Sequence, residues 1–302
     1  MRVFVTGASG FIGSAVVPEL IDAGHHVLGL ARSDASAAAL AAAGAEVHRG
    51  SLEDLDSLHA GAAASDGVIH LAFVHDFSRF AEAARTDLAA IEAIGGALEG
   101  TDRPFVITTG VLGLAPGRVA TERDAQDPAA TPRAAAHQAM LSLASRGVRS
   151  SVVRPAPSVH GEGDRGFVPT LIDIARAKGV SGYVGDGSNR WPAVHRLDAA
   201  HLYRLALEKA PAGSALHAVA EEGIPVRTLA EAIGRHLGLP VAAISPEDAG
   251  EHFGWLAPMV AADGSASSDL TRELVGWQPT RPGLLDDLGE GHYFRTGEPS
   301  RA

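Results

Sequence analysis

The chain has 302 residues, 46% of them hydrophobic and 20% charged, with a formal net charge of −11. That length holds one large two-lobed domain or two ordinary ones, and the acidic balance without any basic stretch argues against a phosphate-backbone partner, so no nucleic-acid binding is expected. The chain has no cysteine, which removes disulfides, thiolate nucleophiles and cysteine-ligated metals. No apolar run approaches the ~18 residues of a membrane span, so no membrane partner is expected either. An apolar strand starts at Arg2, which leaves no room for a signal peptide and gives the expectation of a cytoplasmic protein.

In chain order, short β-branched or apolar runs alternate with alanine-rich helical stretches. Strands are predicted at 2–6, 26–31, 45–48, 67–71, 104–109, 150–154 and 215–219. Helices are predicted at 12–23, 35–43, 53–63, 77–98, 132–146 and 197–209. Strict alternation implies an α/β protein with a parallel sheet covered on both faces. Right-handed crossovers favour a doubly wound sheet of about seven strands. After Arg154 the character changes. Pro155, Pro157, Gly161, Gly163 and Gly166 make a loop-rich passage, a helix follows at 167–178, and Tyr183 to Arg196 is polar and glycine-rich. Residues 222–302 read as short helices and turns. The expected partition is one lobe of 1–155 plus 195–220 and a smaller, substrate-binding C-terminal lobe of 156–194 plus 221–302.

The first strand runs directly into Thr6-Gly7-Ala8-Ser9-Gly10-Phe11-Ile12-Gly13, and a helix follows. In that strand–turn–helix context each glycine meets a separate need. Gly7 makes the tight turn, Gly10 lets backbone approach a pyrophosphate closely, and Gly13 lets the helix pack on the sheet. The amides at the helix N-terminus then face phosphate. A dinucleotide site is therefore expected. The tip of the second strand reads Leu30-Ala31-Arg32-Ser33, with no acid to take the ribose hydroxyls of NAD. A guanidinium suits a 2′-phosphate, so NADP(H) is expected, with NAD(H) as runner-up; the alternative for Arg32 is a solvated loop residue. Ser9 and Ser33 can add hydroxyls. Ser51 and Leu52 fall where an adenine edge would lie, and Leu71, Ala72 and Phe73 fall beside the ribose. His70, inside the fourth strand, reads as a satisfied core histidine rather than a catalyst.

Together with Val153-Arg154-Pro155, Val159-His160-Gly161-Glu162-Gly163-Asp164, Gly185-Asp186-Gly187, Val194-His195-Arg196-Leu197-Asp198 and Gly276-Trp277-Gln278-Pro279, these motifs resemble the extended short-chain dehydrogenase/reductase family, also called the NAD-dependent epimerase/dehydratase family. The resemblance spans nearly the whole chain. It implies a Rossmann lobe that binds NAD(P), a smaller C-terminal lobe that shapes the substrate pocket, and, by analogy, dimerisation through the helices at 77–98 and 132–146. By motif it completes the cofactor set with Thr108, Arg133, Pro155, Ala156 and Ser158. The family's chemistry uses a Ser/Thr, a Tyr and a Lys four residues after that Tyr. Here the tyrosines are Tyr183, Tyr203 and Tyr293 and the lysines are Lys178 and Lys209, so that pair is absent. The lysine position falls near Arg133, the tyrosine position near Ala129 and the serine position near Gly110, with Thr109 its neighbour.

Other groups must then carry any chemistry. Thr109, at the end of a sheet strand, can polarise a carbonyl, or is simply a β-branched strand residue. Arg133 stays protonated and cannot be a general acid, but it can hold an anion or the nicotinamide ribose; a surface ion pair is the alternative. His160 begins the expected substrate loop and has a pKa suited to proton donation. Tyr183 and His195 flank the glycine-rich Gly185 to Trp191 loop and could also face the pocket, with a structural role as the alternative. Asn189, Arg190 and Trp191 make a polar, cationic and aromatic trio suited to a flat or anionic ligand, or else pin a loop. No His-x-x-x-His or acid cluster stands out, so no metal site is expected. The leading expectation is an NADP(H)-dependent oxidoreductase acting on a small carbonyl-type substrate. A non-catalytic NADP(H)-binding sensor and a nucleotide-sugar epimerase or dehydratase are the alternatives.

Overall fold

The computed structural model describes residues 1–76, 79–127 and 131–295. Strand β1 (Arg2–Thr6) sends Val3 and Val5 into one core and Phe4 into another. That alternation marks a strand buried on both faces. After it come α1 (Gly13–Asp22), β2 (His26–Ala31), α2 (Asp34–Ala42), β3 (Glu46–Arg49), α3 (Leu55–Ala63), β4 (Gly67–His70), α4 (Phe80–Leu98), β5 (Pro104–Thr108), α5 (Ala134–Ser145) and β6 (Arg149–Pro155). The chain then leaves the sheet through β7 (Ser158–His160), α6 (Phe167–Lys178), β8 (Ser181–Val184) and β9 (Arg190–His195), and returns by α7 (Arg196–Lys209) and β10 (Ser214–Ala218).

The central sheet has the order β3-β2-β1-β4-β5-β6-β10, and every pair in it is parallel. Helices α1, α2 and α7 bury their apolar sides on one face, and α3, α4 and α5 on the other. The fit is close in places: a Cβ at Gly61 of α3 would lie 2.5 Å from the Phe4 ring. Strand order reverses between β1 and β4, which opens the crevice where doubly wound folds take their ligands. The first lobe thus follows its predicted elements within a residue or two at most ends. The first two residues of the predicted 77–98 helix lie outside the described residues.

The C-terminal lobe departs from expectation. Its passages read as loops and turns contain five strands: β7, β8, β9, β11 (Glu221–Pro225) and β12 (Val241–Ile244). They form a β11-β9-β7 sheet and a β12-β8 pair. Each is only three to six residues long, and Gly185 and Gly187 between two of them take left-handed φ values of +63° and +67°, so the turn signal outweighs the strand signal. The core of this lobe gathers α6, Trp191, α8 (Val226–Leu237), α9 (Ala249–Phe253), α10 (Ala257–Ala261) and α12 (Leu284–Gly289). By contrast Ala266, Val275 at the end of α11 (Asp269–Val275), and Trp277 pack into the first lobe's core, where the sequence placed them in the second. Trp277 is fully buried, and its Nε1 donates to the Asp198 carbonyl at 2.9 Å. Among the described residues no helix is long and apolar enough to cross a membrane.

Candidate functional site

The turn after β1 separates three glycines by what surrounds them. Gly7 has φ +67°, and a Cβ there would lie 2.6 Å from the Ala72 amide nitrogen. A Cβ on Gly13 would lie 2.1 Å from the Gly7 carbonyl oxygen. Both are therefore required by the protein's own packing. Gly10 is different: its Cβ would meet only Gly7 O, at 3.1 Å, and otherwise points into open space. Ser9 and Gly10 are exposed, and Ile12 places no side-chain cap on α1, so the helix N-terminus and the surface over Gly10 are free to receive an anionic group. Replacing Gly10 by Val is accordingly expected to leave the circular dichroism of the protein unchanged while abolishing nucleotide binding. Gly13→Ala is expected to cost about 1–3 kcal/mol in urea unfolding.

At the tip of β2, Arg32 is exposed and engages no polar partner among the described residues. Asp34 does not offset it, because Asp34 pairs with Arg49 of β3 at 2.7 Å. Ser33 Oγ accepts from the Ser36 amide at 3.2 Å and caps α2 in a reciprocal box, so its first role is in the helix start. Ser51 Oγ accepts from the Glu53 amide at 3.3 Å, and Leu52 packs against the core under α3 and α4.

The crevice floor is a directed hydrogen-bond chain. The Ala72 amide donates to Thr6 Oγ1 at 3.2 Å, and Thr6 Oγ1 lies 2.8 Å from His70 Nδ1. His70 Nε2 lies 3.1 Å from Asp87 Oδ1. With a carboxylate at that end, His70 carries its proton on Nε2 and accepts from Thr6 at Nδ1. Asp87 Oδ2 faces Arg133 at 3.5 Å. Arg133 also donates to the carbonyls of Thr108, at 2.6 Å, and Thr109, at 3.4 Å, and its guanidinium lies 4.0 Å above the Phe73 ring. Thr108 Oγ1 in turn donates to the His70 carbonyl at 2.8 Å and lies 2.9 Å from the Tyr203 hydroxyl, whose pKa burial raises first of all. Three strand ends, of β1, β4 and β5, are thereby tied to one cation. His70 and Asp87 are each 1% exposed and the Arg133 side chain 14%, so Arg133 is the least buried of the three.

The structure thus brings Thr109 and Arg133 together. Thr109 is buried, and among the described residues its Oγ1 has no hydrogen-bond partner; the same holds for Arg133 Nε and for Ser158 Oγ. Phe73 lies beneath the guanidinium. Pro155 and Ala156 fix the strand exit, the first accepting from Val111 N at 3.2 Å and the second donating to the Ala218 carbonyl at 3.1 Å. His160 and Tyr183 are not joined to this pair. The His160 ring is buried with Nδ1 2.8 Å from Asp287 Oδ2, and Tyr183 packs in the C-terminal lobe under Arg227. His195 Nδ1 accepts from Leu197 N and starts α7. The ligand-gripping reading of the Asn189–Trp191 trio gives way for two of its members: Asn189 donates to the Val260 and Ala262 carbonyls and Trp191 to that of Met259, which pins a loop. Ala129 lies outside the described residues.

Sequence reasoning missed Asp87. The signal was its place on the stripe Ala83, Ala84, Asp87, Ala90, Ile91, Ile94 of α4, a carboxylate at helical spacing among residues that all face inward.

The profile of the NAD dependent epimerase/dehydratase family matches residues 3–219. An uncharacterised protein of Schizosaccharomyces pombe is 52% identical over 97% of this chain and 100% of its own length. The 2-alkyl-3-oxoalkanoate reductase of Stenotrophomonas maltophilia is 32% identical, covering 80% of this chain and 77% of its own. Among solved structures, the dTDP-glucose 4,6-dehydratase of Streptomyces venezuelae with NAD bound superposes with a TM-score of 0.75 at 20% identity, over 97% of this chain and 96% of that one, a likeness of fold. With the sheet order, the glycine turn and these matches in place, the chain belongs to the NAD-dependent epimerase/dehydratase family, the extended branch of the short-chain dehydrogenases/reductases.

Proposed function

We propose that the protein is an NADP(H)-dependent oxidoreductase that moves a hydride to or from a small carbonyl-type substrate, with Arg133, near the family's lysine position, and Thr109, beside its serine position, carrying the polar work of the site. The observation that carries this reading is the buried Thr6–His70–Asp87–Arg133 chain, which holds Arg133 at the strand ends on the Thr109 carbonyl, while Thr109 Oγ1 has no hydrogen-bond partner among the described residues. The family assignment and the reductase among the relatives support it. Gly7, Gly10 and Gly13 would hold the pyrophosphate, Arg32 the 2′-phosphate, and Phe73, Pro155 and Ala156 would border the ring. Bound there, the nicotinamide supplies or accepts the hydride.

This chain's own residues do the rest. Thr109 donates a hydrogen bond to the substrate oxygen as negative charge develops on it. Arg133, fixed by Asp87 and two carbonyls, stabilises that charge without reorganising. It cannot supply the proton, since a guanidinium does not deprotonate in this range. The proton reaches the product oxygen from water. That favours substrates whose reduced anion is already delocalised, such as enones, over simple ketones.

The test is NADPH oxidation by the purified protein across a panel of ketones, enones and imines. Substrate-dependent turnover, fastest with conjugated carbonyls, is expected. Tight NADPH binding with no turnover anywhere in the panel would instead support the sensor reading. For the cofactor, Arg32→Ala is expected to weaken NADPH about 10- to 100-fold by fluorescence titration and to leave NADH nearly unchanged. Equal losses would remove the phosphate role of Arg32.

A further inference from the structure

We propose that Asp287, Glu290 and His292 bind a divalent transition-metal ion, with Zn2+ the ion that best suits their mixed oxygen and nitrogen donors. Asp287 lies in α12 and Glu290 caps it. Gly291, at φ +79°, reverses the backbone, so the short turn His292–Phe294 folds back over the helix end. One ligating atom from each of the three residues lies within 4.8 Å of the others. Zn–O and Zn–N bonds of about 2.0–2.2 Å require donors about 3–3.5 Å apart, and side-chain rotation closes that gap. Two carboxylates and one neutral imidazole offset the charge of a dication, and the set leaves a fourth position for water.

His292 is the independent sign that a ligand is wanted. Its side chain is 9% exposed, and its Nε2 is buried with no hydrogen-bond partner among the described residues. That nitrogen faces Asp287 Oδ1 at 3.8 Å, beyond hydrogen-bond reach. Asp287 is already oriented, because its other oxygen, Oδ2, lies 2.8 Å from His160 Nδ1; a ligating carboxylate steadied by an outer donor is the arrangement metal sites use. Tyr293, the next residue, accepts from the Gly161 amide and donates to Asp164. An ion here would therefore fasten the end of the chain against β7 and the loop that follows it. Sequence spacing hid the set, because the reversal at Gly291, and not helical periodicity, brings His292 back to Asp287.

The test uses tag-free, EDTA-stripped protein of full length. After equilibration with stoichiometric Zn2+ and gel filtration, elemental analysis is expected to find one ion per chain. Competition with a chromophoric chelator should show Glu290→Gln and His292→Ala each weakening Zn2+ by at least about ten-fold. Both should keep the wild-type circular dichroism and metal-free melting temperature, and His59→Ala, an exposed histidine on α3, should bind like wild type. Co2+ should give visible d–d bands in wild type that His292→Ala lacks. Wild-type protein that retains no Zn2+ at micromolar free metal, or binding that both folded variants leave intact, overturns the site.

Discussion

Arg133→Ala is expected to lower kcat/KM for NADPH-dependent reduction by about 10²–10³-fold, the loss that follows removal of one preorganised oxyanion donor. The side chain also answers the charge of Asp87, which is 1% exposed and, among the described residues, otherwise bonded to His70. Taking the guanidinium away strands that carboxylate, and a loss of roughly 3 kcal/mol in unfolding free energy should accompany the kinetic defect. A purely structural role would give the same instability, so the separating variant is Arg133→Lys. Lysine keeps the ion pair with Asp87 and restores stability, but a point charge cannot donate at once to Thr108 O, Thr109 O and the substrate. Its kcat should stay at least about ten-fold below wild type while the melting temperature recovers. A lysine variant with full kcat would place Arg133 outside the chemistry. Thr109→Val, isosteric at a buried hydroxyl that has no partner among the described residues, should cost activity without costing stability.

The second large effect is acid lability set by a buried cation. Arg154 is 0% exposed. It donates to the Asp124 carbonyl at 2.9 Å, to His217 Nε2 at 3.3 Å and to His137 Nδ1 at 3.4 Å. His217 Nδ1 lies 2.8 Å from the Ser267 carbonyl, so the imidazole must carry its one proton there and accept from the arginine at the other nitrogen. A second proton would turn an acceptor into a donor facing a guanidinium. Burial first, and then the charge of Arg154, bring His137 down to about 4. His217 also lies at about 4, through burial and Arg154, against the opposing pull of Glu122, Asp124 and the Ser267 bond. Unfolded, both titrate near ~6.5. Between that value and about 4 the unfolded chain takes up protons that the folded one refuses, so stability is full above pH 6.5 and falls with acid. Because both histidines face the same arginine their losses are shared, and together they amount to on the order of 3 kcal/mol, a large share of the roughly 5–15 kcal/mol available to a domain.

Desolvated His195 and His252 shift in the same direction. Asp164, raised by burial to about 6, acts oppositely, and its contribution grows as pH falls from 6 towards 3.8. Urea midpoints measured at intervals from pH 7.5 to 4 should therefore drop steeply below 6.5. In the His137→Gln/His217→Gln double variant, whose amides can accept from Arg154 but do not titrate, the slope should flatten by at least about half. An unchanged slope would assign the acid lability to other groups.

What could be read in the sequence follows from how local each signal is. Apart from the exposed edge strand β3, the first lobe's strands are largely buried and stand between alanine-rich helices, so the pattern alone places them. The glycine turn is legible because Gly7 and Gly13 answer to backbone a few residues away. The C-terminal strands owe their existence to partners far along the chain, β9 to β7 and β11, β8 to β12, and the glycine or proline inside β8, β9 and β11 carries the chemistry of turns. In the site, Thr109 and Arg133 were found through the strand end and the family's spacing. Asp87 was not, since its role appears only when α4 lies across β4 and sets the carboxylate beside His70. The same holds for His160, whose partner Asp287 is 127 residues away; a local reading makes it a free acid, and the fold makes it one half of a buried pair.

Calorimetric titration of NADP+ into the folded protein probes the cradle at the end of β1 without an intermediary. A saturable heat with one site per chain, lost in the equally folded Gly10→Val variant, is the expected result. No heat from folded wild-type protein with NADP+, NADPH, NAD+ or NADH would leave the glycine turn without a ligand and the proposed chemistry without its hydride carrier.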